Sequence, residues 1–218
     1  MLFMKKQLIT AIVCLFILLL FGMIIPVARD IVRLIGLFVP VLLWVLFIRN
    51  RQKRKQPLKK RAVRILFFLL IVFGGVLITC FGGGYYQEFI HRIYPFEYGY
   101  NGFKDYVYPV LWGINWALLV YCTASLCHSI KNHFFQVVAA AVLILVFNVL
   151  QYQYVRFLYL WREYDDEMIN VTIWFLFAVV LHTFRVLLKI EVNSKAANVS
   201  YWMAVLLFLC LWLLRPVI

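Results

Sequence analysis

Four carboxylates fall within the six residues from Arg162 to Glu167, and Asn170 follows them at the head of an apolar run. The whole chain of 218 residues has only nine acids, so this concentration points to chemistry. Carboxylates beside an arginine can hold a cation, exchange a proton or pair with the guanidinium. An unpaired carboxylate so close to hydrocarbon is costly or takes up a proton. Asp165 and Asp166 are therefore expected to find a partner in Arg162 or Arg92. Asp166 and Asn170 are four residues apart and share a face if the helix starts early. A second candidate segment is Gly82–Tyr108, in which Glu88, His91, Arg92, Glu97, Lys104 and Asp105 are set among seven tyrosines. Three amides inside apolar runs complete the set: Asn115, Asn148 and, one turn beyond it, Gln151.

The elements that must position these residues are membrane helices. Hydrophobic residues make up 66% of the chain and charged residues 14%, against about 45–50% and about 25% in a soluble domain. The apolar runs are continuous rather than alternating, which selects helices over a strand barrel. The expected fold is all-α, a polytopic transmembrane bundle forming one membrane domain over 1–218. About seven spans are predicted, near 8–26, 31–48, 65–81, 109–127, 134–153, 170–188 and 201–214. The first is read as an uncleaved helix, because no small-residue cleavage site follows it.

Residues 49–64 carry nine basic side chains and no acid. Basic loops stay on the cytoplasmic side, which puts the N-terminus inside and the C-terminus outside. Fifteen of the 22 Lys and Arg then lie inside, and eight of the nine acids lie outside. The net charge of +13 is thus a topological signal. The basic loop has no interleaved aromatic residues to stack on bases, so a nucleic-acid partner is not expected. In this topology both candidate segments face outward, with Asn115 and Asn148 about 8–9 Å below the outer surface. Asn170 is expected to cap the sixth span. Together they describe a polar patch sunk in the outer third of the bundle.

Asn148-Val-Leu-Gln151, Arg162 and Asp165-Asp166-Glu-Met-Ile-Asn170 resemble the signature of VanZ-like membrane proteins, and Pro95-Phe96 resembles an element ahead of that family's middle helices. The resemblance covers about residues 91–183. It implies a cell-envelope protein of the bacterial cytoplasmic membrane associated with glycopeptide (teicoplanin-type) resistance. Two positions depart from the pattern: Asn148 stands where the family has a glutamate, and Ile173 where it has a glycine.

The expected function is binding of a lipid headgroup, a lipid-linked precursor or a glycopeptide-type ligand at the outward patch. The candidate residues are Arg162, Asp165, Asp166, Asn170, Gln151, Asn148, Asn115, Glu97 and Arg92. Alternatives are a membrane-embedded enzyme on a lipid-linked substrate, with those carboxylates as acid/base groups or cation ligands, and a pore-forming or defence effector. Membrane lipids are the expected partners, with a second copy of the chain as a further candidate. No cofactor is expected. Cys122, Cys127, His128 and His133 sit at an inner helix end with spacings unlike those of a zinc site, so no metal is expected either. His182 and Arg185, near the inner end of the sixth span, are expected to snorkel to the interface.

Overall fold

The computed structural model of the chain describes residues 2–25, 38–47, 58–81, 102–157 and 167–214. They form seven helices: α1 (Leu2–Ile24), α2 (Phe38–Phe47), α3 (Leu58–Phe81), α4 (Gly102–Leu126), α5 (His133–Phe157), α6 (Glu167–Leu187) and α7 (Lys195–Leu213). No strand occurs among the described residues. Five helices contain stretches long and apolar enough to cross a bilayer. The apolar segments Phe38–Phe47 and Val171–Leu187 are shorter.

The fold is apolar outside as well as inside. Leu18, Phe21, Leu66, Phe73, Leu176 and Leu187 are each more than half exposed. Thr123, Gln136, Asn148, His182 and Arg185 are buried. A soluble monomer rarely exposes contiguous apolar surface on this scale. In hydrocarbon the arrangement costs nothing, because lipid tails are as apolar as leucine.

α4 is the axis of the bundle and packs against α3, α5, α6 and α7, while α1 packs on α7. Neighbouring contacts fix the directions. Trp174 meets Trp112 and Trp116, and His182 meets Thr123, so α6 runs parallel to α4. Gly75 lies against Gly113, while Phe68 reaches Tyr121 through Trp44, so α3 runs antiparallel to both. Trp44 also ties α2 to α4 by donating its indole N–H to the Ile114 carbonyl at 3.2 Å.

The α3–α4 crossing depends on missing side chains. A Cβ on Gly75 would sit 2.9 Å from the Gly113 Cα, and one on Gly113 would overlap the Val72 carbonyl oxygen. Such close backbone approach is how membrane helices gain van der Waals contact where the hydrophobic effect gives none.

Several helix starts differ from the sequence expectation. α4 begins seven residues before Pro109 and takes it inside its second turn. α7 begins at Lys195, six residues early, with Ser194 as its N-cap accepting from the Ala197 N–H. Likewise Asn132 caps α5, its side chain accepting from the Phe134 and Phe135 amides. α6 starts at Glu167, so Asn170 is its fourth residue and not its cap. Hydropathy marks where hydrocarbon begins, whereas a helix ends where its terminal N–H groups find partners, and that can lie several residues away.

Candidate functional site

Of the residues expected at the outer patch, Arg92, Glu97, Arg162, Asp165 and Asp166 lie outside the described residues, as does the side chain of Asn170. The three helix amides can be placed. Asn148 is 3% exposed, and Asn115 and Gln151 are half-buried. On α5, Asn148 and Gln151 belong to the buried arc that also carries Ala140, Ala141, Ile144 and Phe147. On α4, Asn115 points between the arc that meets α6 (Trp116, Thr123) and the side chain that meets α7 (Ser125). At 100° per residue that is the arc α5 covers.

Because both helices extend past the predicted spans, the amides lie farther from the helix ends than expected. Asn115 is about 20 Å from the start of α4, near its middle, and Asn148 about 14 Å from the end of α5. Measured from the opposite ends of the same helices, the two differ in height by about one turn. The amide nitrogens of Asn115 and Asn148 and the side-chain oxygen of Gln151 are buried, and none finds a hydrogen-bond partner among the described residues. Native proteins rarely leave such groups unmatched, since each costs about 1–3 kcal/mol. Two amide nitrogens and one amide oxygen are thus left unmatched among the described residues.

The opposite end holds a network that the sequence reading misplaced. His182 and Arg185 do not snorkel: they are 0% and 4% exposed. The reason is the segment after α6, which folds back across the helix ends and buries Ile190 and Val192. Lys189 makes that turn with φ 50, and the Ile190 amide returns to the Arg185 carbonyl at 3.0 Å, closing a left-handed C-cap. Arg185 then donates from Nε to His182 Nδ1 at 3.2 Å, and from its terminal nitrogens to Gln136 Oε1 at 3.0 Å and the Ile190 carbonyl at 3.3 Å.

These bonds fix the histidine tautomer. An arginine Nε only donates, so His182 Nδ1 must be the bare nitrogen. Its Nε2–H then points to the Thr123 hydroxyl at 3.0 Å, which in turn donates to the Leu119 carbonyl at 2.8 Å. Gln136 Nε2 closes the far side on the Cys127 carbonyl at 3.0 Å. Alongside, the Ser125 hydroxyl donates to the Ser194 carbonyl and accepts from the Ser194 amide, joining α4 to the start of α7. One cluster therefore ties α4, α5, α6 and α7 at a single end. The sequence did carry its signal: Thr123, Gln136, His182 and Arg185 all fall within two turns of the predicted inner ends.

Cys122 and Cys127 are buried free thiols, while His128 and His133 are exposed. No group of three or more His, Cys, Asp or Glu side chains among the described residues is placed to hold a metal. No family model, curated protein or solved structure matches the chain.

Proposed function

We infer that the chain is a multi-pass protein of the bacterial cytoplasmic membrane, VanZ-like in its 91–183 region, with all seven helices crossing the bilayer. Its function is to bind a lipid headgroup, a lipid-linked precursor or a glycopeptide-type ligand at an outward-facing polar patch. The observation that carries this reading is the set of buried, unmatched amide atoms of Asn115, Asn148 and Gln151 on facing arcs of α4 and α5. Phosphate and peptide oxygens are the acceptors that two amide N–H donors would recognise. Arg162, Asp165, Asp166, Asn170, Arg92 and Glu97 belong to segments adjoining the outer ends of these helices, where they would engage the charged part of the same ligand.

The reading makes an unusual demand on one variant. Asn148→Leu removes a buried amide nitrogen with no partner among the described residues, so the ligand-free protein should become more stable, by about 1 kcal/mol. The same change should abolish binding. Purified protein in nanodiscs would be titrated with a polyprenyl diphosphate and, separately, with teicoplanin. Binding is followed by fluorescence of the Trp112–Trp116–Trp174 cluster, which begins one residue from Asn115. Equal binding by wild type and Asn148→Leu, or no response of the wild type to either probe, would refute the site.

Orientation is tested separately by single-cysteine labelling of intact cells in a cysteine-free background. A thiol at position 98 should react with an impermeant reagent and one at position 56 should not. The reverse pattern would put the patch on the cytoplasmic face and remove a glycopeptide as ligand.

A further inference from the structure

The guanidinium of Arg185 is a buried cation whose three partners, His182 Nδ1, Gln136 Oε1 and the Ile190 carbonyl, are all neutral. No carboxylate among the described residues pairs with it. Glu191, the one acid of the 188–194 segment, is exposed. Buried charges are normally paired, because an uncompensated one costs several kcal/mol. Each terminal nitrogen of Arg185 meets one acceptor and carries a second N–H, so two donors in the fixed fork of an arginine find no acceptor among the described residues. The surroundings select for negative charge. Lys131, Lys189 and Lys195 are all exposed at this end of the bundle. Here α4 and α6 also end and α5 and α7 begin.

We propose that the Arg185 end of the α4–α7 cluster is a binding site for a phosphate group, supplied by an anionic lipid headgroup at this membrane face or by free phosphate. A phosphate presents two acceptor oxygens at the spacing of the arginine fork, and its charge supplies the missing counter-ion. Gln136 and His182 are positioning residues: one holds a terminal nitrogen and the other holds Nε, so the fork is presented in one orientation. The site is separate from the Asn148 patch and stands independently of the function proposed for it.

The test uses full-length protein in neutral detergent, titrated with short-chain phosphatidylglycerol, short-chain phosphatidylcholine or inorganic phosphate. The thermal midpoint and tryptophan fluorescence are read. Phosphatidylglycerol should raise the wild-type midpoint saturably, and phosphatidylcholine should not. If inorganic phosphate alone reproduces the rise, the ligand is the free anion and the site stands. Arg185→Gln should weaken binding about tenfold or more, the effect of losing one charge-assisted hydrogen bond. Arg185→Lys should weaken it nearly as much, because a point charge lacks the fork. The combined change Lys131→Gln, Lys189→Gln and Lys195→Gln should leave the saturable effect in place. Two results overturn the proposal. One is a wild type that responds identically to phosphatidylglycerol and phosphatidylcholine and ignores phosphate, a result that holds whether or not Arg185→Gln folds. The other is loss of the effect in the triple lysine variant with retention in Arg185→Lys, which would make it general surface attraction.

Discussion

Gly113→Leu should abolish accumulation of the folded protein. The Val72 carbonyl oxygen occupies the place where even a Cβ would sit, and that oxygen belongs to the backbone of α3, so no rotamer change relieves the overlap. Separating the helices instead would open the packing of Trp116 against Gly75. Gly113→Ala already requires the crossing to widen and should cost about 1–3 kcal/mol, the usual range for overpacking. Size-exclusion profiles of detergent extracts check both, with Val142→Leu as the control. Val142 faces outward at 43% exposure and should tolerate the change. A Gly113→Leu protein that elutes as a single peak at wild-type yield would mean that the helices cross more loosely than described.

The second large effect is expected at the other end. Arg185→Leu deletes one side chain and orphans three acceptors, His182 Nδ1, Gln136 Oε1 and the Ile190 carbonyl. It should lower stability by about 1–3 kcal/mol, the cost of leaving buried acceptors without donors. Gln136→Leu leaves the cation without its closest acceptor and the Cys127 carbonyl with the Ile130 amide as its one remaining donor among the described residues, for about 1–3 kcal/mol. The double variant should be destabilised by less than the sum, by about 1 kcal/mol or more, because each single change already sacrifices the shared bond. Reversible unfolding in mixed micelles gives the three differences needed. Strict additivity would show that the two side chains act independently, against the 3.0 Å geometry.

The all-helical bundle was legible because hydropathy reports on solvent, and bilayer and interior impose the same demand on a helix. The helix ends were less legible. Hydropathy alone could not see that Ser194 would cap α7 or that α4 would continue through Pro109. Asn115, Asn148 and Gln151 stood out as polar residues in apolar runs, and the structure brings them to buried arcs of two packed helices. Arg185 was misread for an instructive reason. Its place near a helix end fits a side chain reaching out to water, and only the fold-back of residues 188–194, which pairwise spacing does not encode, closes that route. Gly113 carried no signal at all, since a glycine at a helix crossing looks in sequence like any other glycine.

The polar ties among α4, α5, α6 and α7 are unevenly distributed. Thr123–His182, Ser125–Ser194, Gln136–Cys127, Arg185–Gln136 and Arg185–Ile190 all lie within the last two turns at one end. Farther along, the Tyr201 hydroxyl reaches across to the Leu143 carbonyl. Beyond it come the amide atoms of Asn115, Asn148 and Gln151 that are unmatched among the described residues. Mechanically this is a pair of tongs, riveted at the handle. Thermal bending of four rods joined at one end grows toward the other, so amide exchange should slow toward the rivet and quicken toward Asn148 and Gln151. An occupant reaching those amides would meet the part of the bundle that parts most easily, and in leaving it would not have to break the joint.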